Sequence, residues 1–274
     1  MKKILHVSDL DGTLLDKSSK VPEYTEEVIN EMIDRGMNFS IATARSWNSS
    51  SKILKNIKMT LPVITYNGAF IVDPNTGNIL QSNCMEKEYA EYALKEFIKN
   101  EIYPLVYAFI DGEEKVSWCE GKENEGISYY LSQRKGDKRF NPITSVEDLL
   151  KGDIFYITAI GFKDELEKIN DFFENKKYFS NNFQQELYRP EYWLEIKRFD
   201  ATKGDAVEKV KKMTNCEKII SFGDSVNDIP MFVSSDESYA VSNAVKELIE
   251  KSTGIIDVSE NNGVAKWMQQ MYRE

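Results

Sequence analysis

The most constraining stretch is Lys3-Ile4-Leu5-His6-Val7-Ser8-Asp9-Leu10-Asp11-Gly12-Thr13-Leu14-Leu15. Its apolar run is too short for a helix and nearly continuous, as expected of a strand buried on both faces of a parallel sheet. The carboxyl end of such a strand is where open α/β sheets bind ligands, and here it delivers two carboxylates. Alternate strand residues share a face, so Asp9 and Asp11 can address one ligand while Gly12 lets the chain turn away sharply. One carboxylate would attack while its neighbour handles the proton. Taken alone, Asp-x-Asp-Gly is also the composition of a solvated turn. A calcium-binding EF-hand loop is excluded, because it needs Gly at its sixth position and Glu at its twelfth, where this chain has Leu14 and Lys20.

A chain of 274 residues exceeds the usual single domain, which predicts two domains or one core with a sizeable insertion. Hydrophobic residues at 41% and charged residues at 29%, spread through the chain, exclude the disordered and membrane classes. A net charge of −10 with no compact Lys/Arg tract repels nucleic acid and anionic lipid, so neither is expected as a partner. The first apolar run is brief and broken by His6 and Asp9, so no signal peptide or membrane span fits, and the expected location is the cytoplasm. Cys84, Cys119 and Cys216 are odd in number and widely spaced, which argues for reduced thiols and against a disulfide framework or a structural zinc site. His6, the one histidine, falls inside the predicted strand and reads as a core residue. Mechanisms that need two histidines are thereby excluded.

Further along, residues 22–35 carry Val28, Ile29, Met32 and Ile33 at helical spacing, with Pro22 at the start and Gly36 past the end. Residues 38–43 read as a second strand, Ser46 as the cap of a second helix, and 61–66 as a third strand. Residues 69–72 and 79–81 flank a turn-rich segment as a hairpin. This alternation predicts a doubly wound parallel sheet. After Ser82 the pattern changes: a helix over 86–100, a hairpin over 105–119, Gly- and Lys-rich loops through Pro142, then a strand, a helix and two strands up to Ile196. These lack the regular alternation of the core and read as an inserted, mostly antiparallel α+β module. The chain then returns to the first pattern, with a helix over 204–213, a strand over 218–222, a helix through Met231, a short strand at 239–241 and two closing helices.

Polar groups therefore gather at strand ends: Asp9 and Asp11 after the first, Thr43 after the second, Asn67 after the third, and Gly223-Asp224-Ser225-Val226-Asn227-Asp228 after Phe222. Lys203 opens a helix, where a cation is disfavoured unless a bound anion offsets the cost. Each feature alone has an ordinary structural explanation, a helix-capping loop for the acidic run and a strand-end hydroxyl for Thr43.

In combination they are specific. Asp9-Leu10-Asp11-Gly12-Thr13-Leu14-Leu15, Ile41-Ala42-Thr43-Ala44-Arg45, Lys203-Gly204 and Gly223-Asp224-Ser225-Val226-Asn227-Asp228 match, in order and spacing, the four motifs of the haloacid dehalogenase superfamily of phosphatases. Asn67-Gly68-Ala69 also resembles the segment that the Cof-type sugar-phosphatase-like branch carries before its cap. The resemblance implies a Rossmann-like core made of residues 1–83 and 197–274, and an α+β cap domain over 84–196. It implies Asp9 as the nucleophile that forms an aspartyl-phosphate and Asp11 as the acid and base. Mg²⁺ would be held by the Asp9 side chain, the Asp11 backbone carbonyl and Asp224. Thr43, the backbone near Leu10 and Ala44, Lys203 and Asn227 would hold the phosphoryl oxygens, with Asp228 orienting Lys203. The charges agree, since Asp9, Asp11 and Asp224 need a divalent cation plus Lys203 before a phosphate dianion can approach. Ala44 stands where relatives usually have Gly. Arg45 is a core residue that would face the cap and touch the substrate, or else form a surface ion pair.

The expected activity is a magnesium-dependent phosphatase for small phosphorylated metabolites, sugar phosphates first. The alternatives are a phosphomutase and a phospho-ligand-binding regulator without turnover. The expected state is a monomer or weak homo-oligomer.

Overall fold

β1 (Ile4–Ser8) forms as its apolar run predicts, with Leu5, His6, Val7 and Ser8 all buried. The computed structural model describes residues 3–186 and 189–272. It divides into two units, Met1–Ser82 with Ala201–Glu274, and Asn83–Asp200.

In the first unit β1 is followed by α1 (Glu23–Asp34), β2 (Asn38–Ile41), α2 (Trp47–Ile53) and three short strands, β3 (Val63–Thr65), β4 (Phe70–Val72) and β5 (Ile79–Ser82). The second unit contributes α3 (Lys87–Lys99), β6 (Leu105–Ile110), β7 (Glu113–Cys119), α4 (Glu125–Ser132), β8 (Phe140–Ile143), β9 (Asp153–Gly161), α5 (Lys163–Glu174), β10 (Phe179–Gln185) and β11 (Tyr192–Arg198). The chain re-enters the first unit with α6 (Lys203–Met213), β12 (Lys218–Gly223), α7 (Ile229–Val233), β13 (Glu237–Val241), α8 (Lys246–Ile249), β14 (Gly254–Ile256) and α9 (Gly263–Met271).

The first unit's main sheet has the order β14-β13-β12-β1-β2, and every pair in it is parallel. Alternation along β1 serves both faces. Leu5 and Val7 join a core with Val207 and Val210 of α6, Met231 of α7 and Leu248 of α8. His6 points the other way, its ring centroid 6.4 Å from that of Trp267 in α9. Helices thus cover both faces, the doubly wound arrangement expected. One detail departs from expectation: β3 does not extend the parallel ladder as a full member. It pairs antiparallel with β4 in a separate sheet, β3-β4-β5, and touches the main sheet by the single parallel bridge Ala42–Ile64.

The second unit is built on a sheet of order β10-β11-β9-β6-β7-β8, antiparallel except for the pair β7 and β8. α3 and α5 pack on it through Ala93, Leu94, Phe97, Leu166, Ile169 and Phe173. Phe97 and Phe173 are fully buried, and each such ring contributes about 1.5–3 kcal/mol of transfer free energy. This unit has a core of its own.

Candidate active site

β1 and β12 lie side by side, with Ser8 opposite Phe222, at the seam where the strand order turns. From β1 the crossover runs to β2 on one side, whereas β12 is followed by β13 and β14 on the other. Such a switch point leaves a crevice beyond the carboxyl ends of the two strands. The segments leaving them carry Asp9 and Gly223-Asp224, and the Asp9 N–H donates to the Phe222 carbonyl at 3.0 Å.

The centre of the site is a buried ion cluster. Lys203 Nζ donates to Asp9 Oδ1 at 2.7 Å and to Asp228 Oδ1 at 2.6 Å. Lys203 is only 1% exposed and Asp228 is fully enclosed. The other Asp228 oxygen, Oδ2, accepts the backbone N–H groups of Asp224 at 3.0 Å and Ser225 at 3.1 Å. Asp228 is therefore saturated and braces the lysine. Lys203 opens α6, as the sequence predicts, with Thr202 as N-cap. Its unfavourable place at a helix start is offset by these two carboxylates, whereas the sequence alone suggested a bound anion.

Charge in this cluster does not balance. Asp9, Asp224 and Asp228 oppose a single ammonium, so full ionisation would leave two uncompensated negative charges in a poorly solvated place. Burial raises the Asp9 pKa well above the usual carboxylate value; Lys203 opposes this, while Asp228, Asp224 and Asp11 reinforce it. Burial and the Asp228 charge push Asp224 up to about 7, against the Thr13 hydrogen bond and Lys203. Burial works against the Lys203 charge as well, but Asp228 and Asp9 outweigh it and hold the ammonium protonated above its ordinary pKa.

The surplus of negative charge and the donor set fit a hard divalent cation. Among the described residues, Asp9, Asp224 and Asp228 each place a carboxylate oxygen within 4.8 Å of the others. With Asp228 engaged by Lys203 and two N–H groups, Asp9 and Asp224 are the side chains left to hold it. Asp224 is itself fixed, because Thr13 Oγ1 donates to its Oδ1 at 2.9 Å. The backbone at Gly12 has φ +79°, and a Cβ there would stand 2.4 Å from Asp224 Oδ2. Thr13 had no role assigned from sequence, though its place in the Asp-x-Asp-Gly-Thr run was the available signal.

The remaining predicted residues lie in the segments that follow β1, β2 and β12. Leu10 is buried, and its carbonyl closes the turn by accepting from Leu14 and Leu15 at 2.9 Å. Thr43 is fully buried; its Oγ1 accepts the Arg45 N–H at 3.1 Å, which leaves its own O–H to donate. Ala44 lies between them, half-buried. Arg45 makes an ion pair with Asp11, by a two-pronged contact: Nε to Oδ2 at 2.7 Å and Nη2 to Oδ1 at 2.6 Å. Both oxygens of the Asp11 carboxylate are engaged by this one partner. Asn227 Nδ2 donates to Asn67 Oδ1 at 3.0 Å. Asn67, a strand-end residue without an assigned role in the sequence, thus joins the site.

The haloacid dehalogenase-like hydrolase family model matches residues 6–268. The chain is 28% identical over 281 residues to a 5-amino-6-(5-phospho-D-ribitylamino)uracil phosphatase of Bacillus subtilis, covering 96% of each. Among solved structures, a haloacid dehalogenase-like hydrolase from B. subtilis superposes with TM-score 0.81 at 21% identity, covering 98% of this chain and 99% of that one. A sugar phosphatase of subclass IIB, BT4131, superposes with TM-score 0.77 at 18% identity, covering 98% of each. At such identities the two structures establish a shared fold. Among the described residues, no helix is long and apolar enough to cross a membrane.

Proposed function

Because the chain belongs to the haloacid dehalogenase-like hydrolases, we propose that it is a magnesium-dependent phosphatase of small phosphorylated metabolites, working through an aspartyl-phosphate on Asp9. The observation that carries this reading is the buried cluster in which Lys203 bridges Asp9 and Asp228 beside Asp224. A merely structural ion pair would match each carboxyl group with a cation; this cluster sets three carboxyl groups against one ammonium, an arrangement suited to a cation and a dianionic substrate.

In this reading Asp9 attacks phosphorus, the bond from phosphorus to the leaving oxygen breaks, and Asp11 gives that oxygen its proton. Asp11 then takes a proton from the water that attacks the aspartyl-phosphate, releasing inorganic phosphate and restoring Asp9. Lys203, the Thr43 hydroxyl, the backbone near Leu10 and Ala44, and the Asn227 amide hold the phosphoryl oxygens, and Asp228 keeps Lys203 in place. Asp9, Asp224 and the Asp11 backbone carbonyl would hold magnesium, whose charge offsets the carboxylates and lets the dianion approach. Arg45 must leave Asp11, at least in part, whenever that carboxyl carries a proton, because both its oxygens accept from Arg45.

Sugar phosphates are the first class to test, since the B. subtilis relative acts on a phosphorylated ribityl compound and BT4131 is a sugar phosphatase. The four motifs all lie in the first unit, so the second unit, as an inserted cap, is assigned the choice of substrate. The test is phosphate release from a panel of phosphorylated metabolites with magnesium, using the parent and Asp9→Asn. Turnover should vanish in Asp9→Asn while the fold is kept. Activity of that variant within tenfold of the parent would refute the nucleophile, and an isomeric phosphate in place of free phosphate would refute hydrolysis.

A further inference from the structure

We propose that Asn67 is a positioning residue of the phosphate site, fixing the Asn227 carboxamide and the Thr43 loop in one frame. The proposal rests on the phosphatase reading above. After β3 the backbone enters the left-handed region at three successive residues, Tyr66 (φ 49°), Asn67 (φ 53°) and Gly68 (φ 101°). Asn adopts this conformation at small cost and Gly at none, but for Tyr it is strained. Such strain persists only where the surroundings over-determine it, and it gathers at functional sites.

The surroundings here are three of the loops that carry the predicted phosphate ligands. The Tyr66 N–H donates to the Arg45 carbonyl at 3.1 Å and the Asn67 N–H to the Thr43 carbonyl at 2.9 Å, which ties the turn to the second motif. Gly68 packs so tightly on Thr202 that a Cβ would lie 2.2 Å from its carbonyl oxygen, immediately before Lys203. The Asn67 side chain reaches the fourth motif through Asn227, at 3.0 Å. Asn67 itself is 2% exposed.

The chemistry of that last contact gives the residue its role. A carboxamide has a donor end and an acceptor end, and a phosphate dianion tolerates only the donor. Asn67 Oδ1 can only accept, so it selects the Nδ2 end of Asn227 and leaves the second Nδ2 hydrogen for a phosphoryl oxygen. Asn227 Oδ1 is meanwhile buried without a hydrogen-bond partner among the described residues. The amide is therefore oriented from the Asn67 side alone. Without that acceptor, Asn227 can turn its oxygen toward the phosphate and repel it.

The experiment is a double-mutant cycle of Asn67→Gly and Asn227→Ala in the full chain, read by calorimetric binding of inorganic phosphate with magnesium and by kcat and KM for p-nitrophenyl phosphate. Asn67→Gly keeps the left-handed backbone and deletes only the carboxamide. It should weaken phosphate binding about tenfold, the loss of one hydrogen bond to a charged group. Its urea-unfolding midpoint should stay near the parent's. In the Asn227→Ala background the same change should have no further effect, because its partner is already gone. Parent-like phosphate affinity in Asn67→Gly, or losses that add fully in the double variant, would overturn the proposal. Failure of the phosphatase reading is distinguishable: it appears as absent turnover in the parent, whatever the phosphate affinities.

Discussion

His6 is held neutral by its surroundings. Nδ1 faces the Asn38 carbonyl at 3.3 Å, which can only accept, so the proton sits on Nδ1 and Nε2 accepts from the Tyr272 hydroxyl at 2.8 Å. Burial lowers its pKa from 6.5 to about 4, against a small opposing effect of the Asn38 bond. Between these values the unfolded chain binds the extra proton and the native state refuses it. Stability contributed by His6 is complete above pH 6.5 and is lost as pH falls toward 4, by about 3 kcal/mol at most. Urea unfolding across that range should show a shallower decline for His6→Leu than for the parent; equal slopes would remove the histidine from the account. Arg45 gives a second prediction at this scale. If its fork positions the Asp11 carboxyl, Arg45→Ala should lower kcat for alkyl phosphates by about 10²-fold, the usual worth of a positioned acid or base. It should affect p-nitrophenyl phosphate much less, because that leaving group departs without a proton. A KM effect shared by both substrates would instead mark a simple substrate contact. The sequence named Asp11 and Arg45 separately but could not pair them, because which side chains meet across two loops depends on backbone geometry that spacing does not encode. Lys203 and Asp228 were legible together only because the resemblance supplied their relation.

Gly12 sits where an element ends and a site begins. Its φ of +79° lets β1's exit fold back against the loop after β12, and a Cβ would strike Asp224 Oδ2 at 2.4 Å. Gly12→Ala should cost about 1 kcal/mol in backbone conformation alone. The larger consequence is local: Asp224 must move off the Thr13 hydroxyl, so half-maximal phosphate release should need about tenfold more magnesium, roughly one lost charge-assisted contact. A magnesium titration of both proteins decides it, and an unchanged midpoint with lowered stability would mean that Gly12 serves the turn only. The elements that sequence periodicity found are the long ones with a continuous apolar stripe, such as α1, α3 and α5. α4 falls in a stretch whose sequence reads as loop, because its apolar signal is short and lies among Gly and Lys residues, yet Ile127 and Tyr130 are both buried. β8 contains Pro142, which removes a donor, and it survives as an edge strand beside β7. β14 leaves no strand signal in the sequence, since it is three residues long and Ile255 within it is 58% exposed.

At the scale of the whole chain, chemistry and bulk are distributed unevenly. Asp9, Asp11, Thr43, Lys203, Asp224 and Asp228 all belong to the first unit, while Asn83–Asp200 has its own sheet and its own core. The break in alternation after Ser82 is the sequence feature behind the expectation of an insertion, because a parallel core needs a crossover helix between strands and the middle of the chain supplies hairpins. What the sequence did not reveal is which residues of the middle recognise anything, since no reactive side-chain pattern recurs there. The ends of the second unit offer a way to ask. Asn83 lies beside Asp200, its Nδ2 3.5 Å from the Asp200 carbonyl, so the chain leaves and returns at one place. Residues 83–200 can accordingly be exchanged for the corresponding stretch of a relative with a different preference, with both joints at that one crossing. Deleting the segment is the poorer experiment, because a lost activity could then come from misfolding of the shortened chain. The exchanged protein should keep the Asp9→Asn sensitivity and the magnesium requirement proposed for the first unit, and its ranking of phosphorylated metabolites should follow the donor of residues 83–200. The discriminating measurement is the ratio of kcat/KM between two sugar phosphates that the donor and the parent rank in opposite order, since that ratio cancels any general loss of activity. If the ratio stays with the first unit, substrate choice resides among the strand-end loops proposed to hold the phosphate, and the second unit serves another purpose.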